Sequence, residues 1–228
     1  VHRTRNCNDE LTLSVPTPED IVRHHEWVVR DDDDIWVAGR PEPEPVIIVD
    51  ADPGWAARYD AVAERIRAAL GVAVLALDHI GSTAVSGLAA KPVIDVDLTV
   101  ADSADETAYV PALNAAGFEL RIREPDWHEH RLLAGDDPRV NLHVFSPDGP
   151  ETIRHLMFRD WLRANPDDAG RYVAAKRAAA TATVAGELVM VYNQRKEAMI
   201  REIYARMFAA NGLVSPGLDG DSTVSSAS

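Results

Sequence analysis

Along the middle of the chain, the spacing of apolar residues alternates between a strand-like and a helix-like period. Val46-Ile47-Ile48-Val49 is a short apolar run and predicts a strand. After Asp52-Pro53, the residues Trp55, Tyr59, Val62, Ile66 and Leu70 recur at helical spacing. Val72 to Leu77 is apolar and partly β-branched, which predicts a strand leading to Asp78-His79-Ile80. Gly81 to Ala90 reads as a turn and a short helix. Val93 to Val100 is the clearest strand of the chain. Thr107 to Ala116 predicts a helix that Gly117 terminates. Strands follow at Phe118 to Arg123, Glu129 to Ala134 and Val140 to Phe145, the last two joined as a hairpin across Gly135-Asp136-Asp137-Pro138. From Glu151 onward the period is helical: Thr152 to Ala164, Pro166 to Ala180, and Glu187 to Phe208. That order predicts an α/β (α+β) sheet domain with a helical C-terminal part.

The flanks are different. Residues 1–45 carry the acidic run Asp31 to Asp34 and the alternation Pro41-Glu42-Pro43-Glu44-Pro45, which favours an extended spacer. Thr17-Pro18-Glu19-Asp20 reads as a helix cap with proline in the first turn, so the stretch predicts an arm with one helix between Thr17 and Val29. The domain is expected at 46–210. Residues 211–228, rich in Gly, Ser and Asp, are expected to be a disordered tail.

Composition narrows the partners. Of 228 residues 46% are hydrophobic and 26% charged, a globular mixture. The formal net charge of -14 argues against binding nucleic acid through a basic face. It leaves small anionic ligands open, because a local cluster of cations and amides overrides a global sign. Cys7 is the single cysteine, so no intrachain disulfide forms. No apolar run is long enough to span a bilayer and no signal peptide is visible, so the expectation is a cytoplasmic protein without a membrane.

The candidate chemistry sits between Asp78 and Asp97. An apolar strand ends in Gly81-Ser82-Thr83, where a glycine, two hydroxyls and the free amides of a turn can hold a phosphate. Taken alone, a Gly-Ser pair is more often an ordinary cap. Asp95 and Asp97 then lie two apart on a buried strand and share a face. Two close carboxylates repel unless something compensates, and Mg²⁺ does so while bridging substrate phosphates. Lys91, between the two motifs, reads equally well as a phosphate ligand or as a solvated lysine.

The run from His79-Ile80-Gly81-Ser82-Thr83-Ala84-Val85 through Lys91-Pro92-Val93-Ile94-Asp95 resembles the signature of the GrpB family. Asp52-Pro53-Gly54-Trp55, Asn141-Leu142-His143-Val144, Phe158 to Arg163, Tyr172 with Lys176, and Tyr192 with Lys196 agree with it, over roughly residues 46 to 208. Ser86 departs from the family's usual proline. The resemblance implies a nucleotidyltransferase-like fold, a mixed sheet flanked by helices. It implies a nucleotide or other phosphorylated small molecule as ligand, with Asp95 and Asp97 holding Mg²⁺ and Gly81, Ser82, Thr83, Lys91, Lys176 and Lys196 binding phosphate. Active nucleotidyltransferases carry a third carboxylate on a later strand, and the matching strand here offers His143. That residue reads as a metal ligand, a general base, or a histidine satisfied at the edge of the core.

Family members are largely of unknown function, and some are fused to dephospho-CoA kinase. This chain has no P-loop motif. Whether it is an enzyme therefore stays open between a Mg²⁺-dependent nucleotidyltransferase and a non-catalytic module. Such a module would bind a protein partner or a metabolite and be linked to coenzyme A biosynthesis. A metal-dependent hydrolase built on His128, Glu129, His130 and His143 is a third reading, and it requires those side chains to converge. Arg159, Arg163 and Arg201 are further basic residues that could face the Gly-Ser turn. Tyr172 and Tyr192 could pack on a base or sit in the core.

Overall fold

The computed structural model describes residues 15–24, 35–37, 39–184 and 186–214. Five strands, β1 (Ala76–Ile80), β2 (Ile94–Thr99), β3 (Glu119–Glu124), β4 (His130–Asp136) and β5 (Arg139–Phe145), form one sheet in the order β1-β2-β5-β4-β3. β2 and β5 are parallel, and every other pair is antiparallel. The sheet is therefore mixed, as the resemblance implied.

Alternation along the strands gives the sheet two unlike faces. Ile94, Val96 and Leu98 of β2, with Leu133 of β4 and Val140, Leu142 and Val144 of β5, form one buried apolar cluster. Helix α2 (Trp55–Leu70) covers it with Trp55, Val62 and Ile66, and helix α3 (Val110–Ala115) covers it with Leu113. A fully buried aliphatic side chain of this kind contributes about 1.5–3 kcal/mol. The intervening residues Asp95, Asp97, Asn141 and His143 point to the opposite face. On that side lie α4 (Pro150–Ala164), α5 (Pro166–Ala182) and α6 (Val189–Ala210). They pack on one another through Leu162, Tyr172 and Ile203, which also meet Val85 and Leu88 after the Gly-Ser turn. Proline stands in the first turn of both α4 and α5, where a missing N–H costs nothing.

Several elements differ from their predicted form. Val46 to Val49 is not a strand, and only Val49 pairs, through a single bridge to Ala90. The predicted strand at Val72 to Leu77 starts later. Gly71 to Ala73 is a 3-10 turn, Gly71 has φ +54°, and Val72 is 99% exposed. Only Ser82–Ala84 is helical in the Gly81 to Ala90 stretch, again as a 3-10 turn. Asp52-Pro53-Gly54 serves α2. The Asp52 carboxylate accepts the Gly54 N–H at 2.7 Å and pairs with Arg58, also at 2.7 Å.

The N-terminal stretch is not free of the domain. Helix α1 (Pro18–Val22) is capped by Thr17 and Asp20, and Ile21 is buried against Met207 and Phe208. Trp36 bridges to Ile122 on the edge strand β3, and Glu44 pairs with Arg139 at 2.7 Å. The tail was expected to be disordered from residue 211, but Leu213 and Val214 pack against the cluster of Ile21, Met207 and Phe208, and the Leu213 N–H donates to the Phe208 carbonyl at 2.9 Å. The acidic run, Cys7 and the residues beyond Val214 lie outside the described residues. No described helix is long and apolar enough to cross a membrane.

Candidate functional site

The Gly-Ser turn follows directly from β1 and lies beside β2. Gly81 has φ +67°, and a Cβ there would run into the Asp95 carboxyl group, with Cβ and Cγ of Asp95 at 3.0 Å. Glycine is thus required so that Asp95 can lie against the turn. Asp95 is also held by Asn141, whose Nδ2 donates to Oδ1 at 2.8 Å across the β2–β5 register. Ser82 is partly exposed and its Oγ accepts from Lys176 Nζ at 2.9 Å. Thr83 is buried. Its hydroxyl donates to the Val93 carbonyl at 3.2 Å and faces His79 Nε2 at 3.0 Å, so it holds the turn together and is not presented to a ligand.

Lys176 reaches this turn, and Lys91 and Lys196 lie close enough to act on it. Lys176 is 2% exposed, donates to the Ala89 carbonyl at 2.5 Å, and lies over the Tyr172 ring at 4.7 Å. Lys91 and Lys196 both sit over Tyr192, at 5.5 and 4.9 Å. Burial, then the neighbouring Lys196, with Arg177 and Lys91, push the Lys176 ammonium down to about 7, against a weaker pull from Asp95. Burial and Lys196 likewise lower Lys91. Like charges gathered round one carboxylate favour an incoming anion. Tyr172 and Tyr192 are buried and hold lysines on their faces, which is the core alternative for both.

The arginines divide. Arg159 donates to the His79 carbonyl at 3.1 Å, and Arg163 to the Ala84 carbonyl at 2.7 Å. They clamp the backbone on either side of the turn. Arg201 is committed to Glu197 at 2.6 Å on its own helix.

Asp97 is arranged differently from Asp95. It is 3% exposed, and His155 Nδ1 lies 2.9 and 3.2 Å from its two oxygens. His155 Nε2 faces Glu151 at 3.3 Å, and Glu151 in turn meets Arg154 at 2.7 Å. Burial alone would protonate Asp97 and strip His155. At Asp97 burial still outweighs the facing ring and leaves the carboxyl above its ordinary value, while at His155 Asp97, and Glu151 on its other nitrogen, outweigh burial and hold its proton to about 10. Burial would raise Glu151 too, but His155 and Arg154 outweigh it and hold the carboxyl at about 2. Neither Glu151 nor His155 was among the expected site residues. Their i, i+4 spacing on one helix was the available signal.

That arrangement bears on the expected Mg²⁺. A divalent cation needs carboxylate oxygens free to bind it. Asp95 offers a partly exposed carboxylate, whereas both oxygens of Asp97 are already answered by an imidazolium. The two aspartates do not fit a shared magnesium ion as they stand. Among the described residues no group of three or more His, Cys, Asp and Glu side chains is placed to hold a metal.

His143 stands beside Asp97 in the β2–β5 register, where the third carboxylate was sought. Its Nδ1 lies 3.0 Å from Nε2 of buried His130, whose Nδ1 lies 2.7 Å from Glu124. Burial, with His130 and His155 nearby, lowers His143 to about 3, so the ring is neutral. The convergence required for a hydrolase is partial. His128 and Glu129 occupy a turn with φ +54° and +50° ahead of β4, and only His130 reaches His143. Asp78 is paired with Asp97 across β1–β2, so a third carboxylate does share the polar face.

A family model described as GrpB protein matches residues 45–206. A UPF0157 protein of Halalkalibacterium halodurans is 47% identical over 167 residues, covering 73% of this chain and 85% of that protein. A dephospho-CoA kinase of Mycolicibacterium paratuberculosis is 33% identical over 189 residues, which span 71% of this chain but 46% of the kinase. The crystal structure of conserved protein GrpB from Enterococcus faecalis superposes with a TM-score of 0.64 at 29% identity, covering 73% of this chain and 99% of that one.

Proposed function

The chain belongs to the GrpB family, and from that premise we propose that it binds a phosphorylated small molecule, a nucleotide first among them, at the Gly81-Ser82 turn. The observation that carries this reading is Lys176: a buried ammonium on Ser82 Oγ, flanked by Lys91 and Lys196. An acidic protein gathers like charges at one turn at a cost in stability, and a bound phosphate offsets it. Lys91 and Lys196, held on the Tyr192 ring, meet the outer oxygens. Ser82 and the turn amides meet the inner ones. A magnesium ion accompanying the nucleotide fits Asp95, the one partly exposed carboxylate against the turn.

Nucleotidyl transfer is the reaction that the resemblance suggests for such a site. One observation favours the second reading, a non-catalytic module that keeps the site for binding: Asp97 is neutralised from within by His155. Relatives named dephospho-CoA kinase make CoA-type molecules the natural second ligand class to try.

A thermal-shift screen against the four NTPs and CoA-type ligands, each with and without Mg²⁺, tests the proposal. Ligand at a hundred times its Kd raises stability by about 2.7 kcal/mol. The expected result is a shift with at least one phosphorylated ligand that is absent in Lys176→Met while the far-UV spectrum is unchanged. Equal shifts in parent and Lys176→Met, or no shift with any of them, would sink the phosphate site. A shift that needs Mg²⁺ and vanishes in Asp95→Asn, but survives in Asp97→Asn, supports the single-aspartate reading of the metal.

A further inference from the structure

Arg139 opens β5 on the polar side of the sheet. Side chains alternate along the strand, so Arg139, Asn141 and His143 share one face while Val140, Leu142 and Val144 fill the core on the other. Asn141 is the residue that holds Asp95 against the Gly-Ser turn, and Arg139 lies two residues ahead of it on the same face. Val140 pairs with Ile94 on β2, which brings Arg139 level with Val93, two residues after Lys91. The charges are close enough to act on one another. After burial and Lys196, Lys91 also feels Glu44, which favours its positive charge, and Arg139, which disfavours it.

Arg139 already has an anion. Its Nη2 donates to Glu44 Oε1 at 2.7 Å. Glu44 comes from the Pro-Glu stretch of the N-terminal arm and lies in no helix or strand. Just after it the chain is pinned beside the same lysines. Val49 and Ala90 exchange backbone hydrogen bonds at 2.9 and 3.0 Å, next to the Ala89 carbonyl that accepts from Lys176. Asp50 meets Arg177, the residue after Lys176 on α5, at 2.7 Å. The Arg139 and Glu44 side chains are 55% and 42% exposed, and a pair so open to water is weak and exchanges readily.

We propose that Arg139 is a further cation of the phosphate site, and that Glu44 of the N-terminal arm occupies it until a phosphorylated ligand displaces the carboxylate. The inference rests on the reading of the Gly81-Ser82 turn as a phosphate site. It gives the acidic arm a role, since Glu44 is then an internal competitor at the rim of that site. A guanidinium offers two parallel N–H donors to one phosphate, and a phosphate carries more charge than the carboxylate it replaces. A ligand with more than one phosphate group therefore gains most, one group at Ser82 and Lys176 and the next towards Lys91 and Arg139.

Isothermal titration calorimetry with sodium pyrophosphate and with ATP tests this in the full chain. The proteins compared are the parent, Glu44→Gln, Arg139→Gln, the double variant and Lys176→Met. Both rim residues are exposed, and melting curves check that each variant is folded. Glu44→Gln should bind more tightly than the parent, by up to about fivefold, the worth of an exposed pair. Arg139→Gln should bind about tenfold more weakly, having lost one charge-assisted contact. Adding Glu44→Gln to Arg139→Gln should gain less than it does in the parent. Glu44→Gln binding no better than the parent, undiminished binding by Arg139→Gln, or an equal gain in both backgrounds would each overturn the inference, because a pair that only tethers the arm leaves affinity unmoved. Lys176→Met reads the underlying site. If it loses binding while Glu44→Gln matches the parent, the arm inference alone falls. If it binds as the parent does, the phosphate reading falls. No binding by any of the five, Glu44→Gln included, overturns both.

Discussion

Asp95 and Asp97 sit two residues apart on one face of one strand, yet they belong to regions of opposite character. Around Asp95 the protein gathers Lys91, Lys176 and Lys196, and the charges do not cancel within the turn. Around Asp97, the carboxyl groups of Asp97 and Glu151 both meet His155, and Arg154 completes the set. In the first region the lysines oppose one another, and the proposed anion would complete it. The second is complete as folded, each charge meeting its opposite. Sharing a strand face is therefore insufficient to make two aspartates a pair, because the elements packed above each one decide its partner.

The contrast is most easily broken at His155. His155→Ala leaves Asp97 buried without a partner, and losing half of a buried pair costs about 3–5 kcal/mol. Urea denaturation should show that loss, and Asp97→Asn combined with His155→Gln should recover part of it. A loss under about 1 kcal/mol would mean that Asp97 is not held as an ion.

The same pair predicts a pH dependence. The folded ring keeps its proton to about 10, against an ordinary 6.5. Its stabilisation is thus complete below 6.5 and is lost as pH rises towards 10. The gap in melting temperature between the parent and His155→Gln should narrow across that window. A gap that widens there would reverse the assignment of charge.

A smaller effect is expected at the turn. Gly81→Ala imposes a side chain at φ +67° against the Asp95 carboxylate, at a cost of about 1–3 kcal/mol. Nucleotide-dependent stabilisation should fall with it, because Asp95 must move. If thermal melting shows no change, the close approach of Gly81 and Asp95 is not needed. The smallest change in stability belongs to Lys196→Ala, within about 0.5 kcal/mol, as expected for an outer lysine. Its nucleotide shift should nevertheless shrink. An undiminished shift would remove Lys196 from the phosphate site and leave Lys176 and Lys91 to hold it.

Much of this site could be read from local pattern. Ile94, Val96 and Leu98 alternate with Asp95 and Asp97, and a strand can only place such residues on opposite faces. Glycine before Ser82 signalled a special backbone, and the φ of +67° agrees. The GrpB resemblance brought Lys176 and Lys196 into view. The strand at Val46 to Val49 was misread because an apolar run has no period of its own, and only Val49 finds a strand-like partner.

What the linear order determined, then, was the alternating elements, the two-faced strand and the glycine turn, because these depend on residues a few positions apart. Only the tertiary structure decided the partners. His155 reaches Asp97 across 58 positions, Lys176 reaches Ser82 across 94, and Arg159 reaches the His79 carbonyl across 80. Charge pairing in a low-dielectric interior depends on distances of a few ångströms in space. Nothing in the spacing of Asp95 and Asp97 could tell which would meet lysines and which an imidazolium. The helices laid over the polar face made that choice.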